Sequence, residues 1–401
     1  MIWLCFALNA LGYIDRANLA VAAPFIRHDL GIDDAALGAV LGSFYWSYAA
    51  LQVPAGWLMD RLRLRGGLGG AVLLWSAATG ATAWAGSATS LFVCRLVLGA
   101  GEGPVYPAAT KLIGAWFAPR QRGIAAAILN TAPRVGTAIS VPLVAALIAW
   151  SGWRASFIAT GLLGIVLAFV WVLLYRAGPL EAPRASSTDA LPKLAPLLWA
   201  VLRQRRFIGM TGGHFFYLFA AYFYITWFPT YLIQARHFSL GELGWLGNMP
   251  TLAAIPGTML GGIVCDRLVR GGVPVTQARK ACLGAGMMVG IFVVFIPLIA
   301  DRAGMIALFS LAAAALGFTS GVTFAALAEI APSPRVVGTI TAFANGIGNL
   351  AGVCTAGFTG LVLTATHGSF DAVLVTLGIV SLLSALCFWF VVDEIAPIRL
   401  A

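Results

Sequence analysis

Apolar residues run along this chain in blocks of about 20, separated by short polar breaks. A block of that length crosses a hydrocarbon core of about 30 Å as an α-helix. Twelve spans are predicted, at 1–26, 36–60, 68–86, 91–116, 123–150, 155–175, 207–233, 242–265, 281–299, 303–330, 336–365 and 370–392. The short alternating segments of a membrane β-barrel do not occur. The expected class is therefore an all-α integral membrane protein with twelve transmembrane helices. The longest hydrophilic break, Arg176 to Arg206, lies halfway along the chain. It divides the chain into an N-terminal six-helix bundle (1–175), a linker (176–206) and a C-terminal six-helix bundle (207–401).

Composition agrees with that pattern. Hydrophobic residues make up 60% and charged residues 10% of the 401, where soluble domains carry about 25% charged. Met1 opens directly into the first span with no cleavage site behind it, so no removable leader is expected. The abrupt start points to a native N-terminus upstream of Met1. The six cysteines fall in or at the ends of apolar segments without CxxC spacing, which argues against a redox or zinc role.

The net charge of +10 is that of a nucleic-acid binder until its location is read. Of 25 Lys and Arg, 17 lie on one side of the predicted spans, four on the other and four inside. By the positive-inside rule, both termini and the linker are expected in the cytoplasm. The basic balance reports topology and anionic headgroups rather than DNA.

An internal repeat links the halves. Gly56 to Arg65 follows the second span and Gly262 to Gly271 follows the eighth, placing Asp60 and Asp266 at matching sites. The segment resembles the G-x-L-x-D-R-x-G-R-R/K loop of the major facilitator superfamily, with Arg63 where that family usually has Gly. The resemblance implies two pseudo-symmetric six-helix bundles with a substrate site between them near the midplane. It also implies that Asp60, Arg61, Asp266 and Arg267 act in gating, as a cytoplasmic latch between states; solvated topological anchoring is the alternative.

Five ionisable residues sit where a bilayer penalises them: Asp15, Arg16, Arg95, Glu102 and Arg134. Intramembrane charges are functional candidates that need partners. Asp15 and Arg16 are adjacent and point about 100° apart on a helix, so each must look to another helix, water or ligand. Arg95 and Glu102 are two turns apart on one face, about 10 Å along the axis. Three cations and two carboxylates leave a surplus of one positive charge, rising to three if both acids take up protons. A buried surplus of that sign draws in an anion, and proton and anion then raise each other's affinity by one factor. A permanent salt-bridge network is the competing reading.

The stretches YIDRANLAVA (13–22), SFYWSYAALQVPAGWLMDR (43–61), RLVLGAGEGPVYPA (95–108) and ITWFPTYL (225–232) resemble the anion:cation symporter family. That family includes bacterial galactonate, glucarate, hexuronate, tartrate and phthalate carriers, sialin and the vesicular glutamate transporters. The resemblance implies proton-coupled uptake of a small organic anion, a sugar acid or other hydroxy- or dicarboxylate, by alternating access across a bacterial inner membrane. It further implies that Arg16 clamps the substrate carboxylate and that Asp15 and Glu102 carry protons. Arg95 would switch between carboxylates, and Tyr13 and Tyr48 would bind substrate by hydrogen bonds. In the second half, Asn345 and Asn349 lie one turn apart and suit sugar hydroxyls, or else hydrogen bonds between helices.

Three positions depart from the galactonate-type pattern. Phe324 stands for Trp, keeping an apolar platform without the indole donor. His214 and Arg134 each stand for Gln; the added Arg suits a second carboxylate or a less hydroxylated acid, and His214 is either a titrating contact or a packing residue. An aromatic-acid carrier, an uncoupled facilitator and a membrane sensor are the other readings. No enzyme motif, cofactor site or metal site is present in the sequence, and a monomer is expected.

Overall fold

The computed structural model describes residues 1–117, 121–178, 194–333 and 336–398. Among these residues the secondary structure is helical, without strands. The first half comprises α1 (Ile2–Leu30), α2 (Asp34–Arg61), α3 (Leu64–Ala81), α4 (Ala88–Glu102), α5 (Val105–Trp116) and α6 (Arg122–Leu174). Next come a short helix α7 (Leu194–Leu202), then α8 (Arg205–Thr226), α9 (Phe228–Thr230) and α10 (Leu240–Trp245). The remainder is α11 (Met249–Arg270), α12 (Val275–Gly290), α13 (Arg302–Glu329), α14 (Val337–Ala365) and α15 (Asp371–Leu386).

These helices, with a 3-10 stretch at Ile291–Leu298 after α12 and a π-helical turn at Cys387–Val391 after α15, cover the twelve predicted spans. The fourth span is α4 and α5, joined at Gly103 and Pro104; Pro removes a backbone donor and interrupts the ladder. The fifth and sixth spans run together as α6, which breaks at Gly152 (φ 77°, ψ 169°), a conformation only glycine adopts cheaply. The seventh span is bent by 49° between α8 and the helical turn that follows it. Six segments qualify as membrane-crossing on length and apolarity alone, or seven with that bent pair, among the described residues. α1 falls outside that group because its interior holds Asp15 and Arg16. The short α7 was not anticipated; it lies within the hydrophilic break and brings Trp199 under the Arg203 guanidinium (4.9 Å).

Local chemistry fixes the helix ends. Asp33 accepts from Ala36 N (2.7 Å) at the start of α2, and Asp301 from Gly304 N (2.7 Å) at the start of α13. Ser87 with Ser90, and Ser239 with Glu242, form reciprocal caps on α4 and α10. Each such cap contributes about 1 kcal/mol. Lys111 donates to the carbonyls of Met59 (2.7 Å) and Leu62 (3.0 Å), capping the C-terminus of α2. Asp29 accepts from the Trp153 indole (2.8 Å) and from Arg154 (3.2 Å). The indole N–H holds the Asp29 carboxyl below its ordinary pKa, whereas burial pushes that of Asp34 up.

The chain divides into two compact units. The first is 1–186 with 225–248 and 356–368; the second is 187–224 with 249–355 and 369–401. In the first unit α1 crosses α6 so closely that a Cβ on Gly136 would lie 2.4 Å from the Ala10 carbonyl oxygen. In the second, Gly257, Gly261, Gly317 and Gly321 let α11 and α13 meet backbone to backbone. Such small-residue crossings drive helix association where lipid removes the hydrophobic incentive. In the glycine run at 66–70, by contrast, Gly66 and Gly70 face open space. All six cysteines are free thiols.

Candidate functional site

In the first unit, helix periodicity turns Arg16 and Asp15 to different surroundings. Arg16 is 8% exposed and Glu102 3%. The Arg16 Nη2 and Nε both donate to Glu102 Oε2, at 2.6 and 2.9 Å. Glu102 Oε1 has no donor. Three aromatic rings enclose the guanidinium: its Cζ lies 4.6 Å from the centre of Tyr13, 4.5 Å from Phe44 and 4.8 Å from Tyr48. Ring faces attract a cation most where water is excluded. Phe44 also lies 5.3 Å from the Arg95 Cζ, so one ring serves two guanidinium groups.

Arg95, 3% exposed, makes no ion pair within 4 Å among the described residues. Its Nη1 reaches the Asp15 main-chain oxygen at 3.5 Å, and its Nε has no partner. Asp15, 1% exposed, turns its carboxylate toward Thr79 and Thr160, yet neither oxygen accepts a well-formed hydrogen bond. Arg134 is half-buried on α6. The structure thus gathers Tyr13, Arg16, Tyr48 and Glu102 into one cluster, with Arg95 behind the Phe44 ring and Asp15 on another face of α1.

Two residues of this cluster went unread in the sequence. Phe44 precedes Tyr48 by one turn and stacks on it, and the i, i+4 spacing was the available signal; Gln52, one turn further along α2, is buried with an Oε1 that has no donor. Gly12 gives the Glu102 carboxyl its place: a Cβ there would lie 3.3 to 3.4 Å from the carboxyl carbon and both oxygens. No sequence pattern marks such a gap.

The second unit holds a neutral polar cluster. His214, 1% exposed, places Nε2 3.5 Å from Asn345 Oδ1 and leaves Nδ1 unpartnered. Its ring stacks on Tyr217 and meets the edge of Phe324, both at 5.8 Å between centres. One turn beyond Asn345, Asn349 accepts from the Tyr222 hydroxyl, and its buried Nδ2 has no acceptor. Phe324 is 51% exposed. Asn345, Asn349, His214 and Phe324 are therefore brought together.

Of the expected latch residues, Asp266 and Arg267 lie exposed at the end of α11. Asp266 lies 3.8 Å from Arg279, which donates through Nε (3.2 Å) and Nη2 (2.8 Å) to Glu329. The side chains of Asp60 and Arg61 lie outside the described residues.

Long apolar helices enclosing a buried ion pair and buried amides are the architecture of a multi-pass membrane protein. The chain belongs to the Major Facilitator Superfamily, whose profile matches residues 5–356 and again 213–400. It is therefore a multi-pass membrane transporter and not an enzyme. A probable galactarate/D-glucarate transporter of Escherichia coli K12 is 30% identical over 427 residues, covering 98% of this chain and 94% of that protein. A probable L-galactonate transporter of the same strain is 32% identical over 406 residues, covering 98% and 88%. Among solved structures, a bacterial homologue of the human lysosomal transporter Spinster, inward-facing and occupied, superposes with a TM-score of 0.79. That match covers 98% of this chain and 93% of the other at 21% identity, a likeness of fold.

Proposed function

We propose that this protein takes up a sugar acid together with protons, by alternating access across a bacterial inner membrane with both termini in the cytoplasm. The observation that carries the reading is the Arg16–Glu102 pair: a guanidinium held at 2.6 Å by a carboxylate within an aromatic enclosure. A substrate carboxylate and Glu102 compete for the same planar fork of donors. Ionised, Glu102 occupies Arg16; protonated, it gives up its charge and frees the guanidinium for the incoming acid. A buried cation left without a counter-charge is costly, so release of Glu102 favours anion entry. Each event strengthens the other by the same factor.

The relatives named as galactarate/D-glucarate and L-galactonate transporters support the substrate class. In the second unit, the His214 Nδ1 and the Asn349 Nδ2 offer buried polar atoms without protein partners. Such groups suit sugar-acid hydroxyls, with Asn345 beside them and Phe324 as an apolar platform. Asp15 and Arg95 complete the proton-responsive set, and Tyr13, Tyr48 and Arg134 contribute to substrate binding. Asp266 and Arg267, with Asp60 and Arg61 in the other half, act as the latch.

Reconstitution into liposomes tests this. An inward proton gradient is expected to concentrate galactarate or galactonate, and Glu102→Gln to abolish accumulation while sparing exchange of internal for external substrate. Unchanged uphill uptake by Glu102→Gln overturns the assignment.

A further inference from the structure

Asp15 faces a polar seam that the Arg16 site does not use. α1 and α3 are expected to run in one direction and the arm of α6 after Gly152 in the other, and their side chains meet in layers. At the first level Ser76 Oγ and Leu11 Cδ2 converge on Gly164, where a Cβ would lie 2.1 Å from the hydroxyl and 3.1 Å from the methyl. One turn along each helix, Asp15 meets Thr79 and Thr160. One turn further, Asn18 donates to Thr160 Oγ1 (3.0 Å) and accepts from Ser156 (2.8 Å).

The hydrogen-bond capacity of this seam is uneven. Asn18, Ser156 and Thr160 satisfy one another, and Thr160 also donates to the Ser156 carbonyl (3.0 Å). Thr160 therefore has no proton left for Asp15. Both Asp15 oxygens, Ser76 Oγ and Thr79 Oγ1 make no well-formed hydrogen bond, although Thr79 and Thr160 stand beside the carboxyl, and all lie on residues that are 0 to 1% exposed. Four orphaned oxygens on adjoining layers are rare in a native interior, where buried polar groups are paired with protein or with ordered water. The charged groups facing Asp15 are Arg95 and Glu102 from α4, with Arg16 beside it in sequence. From α3 and α6 the side chains named beside it are the hydroxyls of Thr79 and Thr160.

We propose that the α1–α3–α6 seam binds ordered water that hydrates the Asp15 carboxyl, with Ser76 and Thr79 as the residues that position it. A bound water typically makes about three hydrogen bonds, and the four orphaned oxygens offer at least that many. Water can donate to an ionised carboxylate and accept from a protonated one. Asp15 then changes protonation state without exchanging an ion partner, unlike Glu102. The functional part rests on the reading of Asp15 as a proton carrier; the water site does not.

X-ray radiolytic labelling in 18O water reads the site directly, because radicals formed from bound water mark the side chain beside it. In the purified full chain, Leu11 (1% exposed) is expected to take up label while Leu68 (0% exposed), on the same α3 as Ser76, does not. The Ser76→Ala, Thr79→Val double variant should lower Leu11 labelling several-fold with Leu68 still protected, and Thr79→Ser should retain it. Unlabelled Leu11 in the wild type, or equal labelling in the double variant, overturns the water site whatever the fold of the variants. Uptake by Asp15→Asn is read separately. Proton-driven accumulation retained there removes Asp15 from coupling and leaves the labelled site standing; accumulation lost without Leu11 labelling does the reverse.

Discussion

In the first unit a guanidinium and a carboxylate meet at 2.6 Å among three aromatic rings, whereas in the second an imidazole and two amides meet without an ion pair. Both centres are buried, yet they bury polarity at different cost. Removing one member of the ionic pair strands a full charge, while removing one amide strands a dipole. The first centre is thus the one whose charge balance a proton or an anion would change, whereas the second offers only neutral donors and acceptors.

That contrast is broken most severely at Arg16. Arg16→Ala is expected to weaken binding of galactarate and galactonate about 100-fold or more, measured by isothermal titration; retained affinity would move the clamp to Arg134. Phe44→Leu removes a ring shared by two guanidinium groups and should weaken binding about tenfold, since each desolvated contact is worth ~0.5–2 kcal/mol. Asn349→Leu loses one interhelical hydrogen bond and a free amide donor. It should cost about threefold for a hydroxylated acid and nothing for an unhydroxylated one of the same charge, which competition uptake would reveal.

The smallest effect lies away from both centres, at Asp29. Its carboxyl is held below the ordinary value, first by the Trp153 indole. A lowered native value stabilises the fold above the unfolded carboxylate's pKa, about 3.9. That stabilisation is lost as pH falls through the lower native value. Asp29→Asn should lower the melting temperature slightly at neutral pH and flatten its fall between pH 5 and 3, so that the two proteins converge in acid, read by thermal unfolding in detergent.

The helices themselves were legible, because a bilayer imposes one length and one hydrogen-bonding solution on every span. The observed α1, α2, α13 and α14 begin and end within a few residues of the predicted spans. The ionisable residues were legible for the same reason, being expensive where they stand. Their pairing was not. Asp15 and Arg16 are neighbours in sequence with unlike surroundings, and only packing decides that Glu102 takes the guanidinium while Arg95 stops at a backbone carbonyl. Helix α7 was missed because nine apolar residues within a polar linker are too few to register as a span.

Gly12 makes the ion pair adjustable by a single methyl group. With the Glu102 carboxyl 3.3 Å from where that methyl would sit, an alanine there presses the acid away from its guanidinium by a few tenths of an ångström. On the proposed cycle, a carrier so altered gives up part of its internal counter-ion, holds an acid more readily in alkaline surroundings and depends less on protonation of Glu102, at the expense of slower release of its cargo.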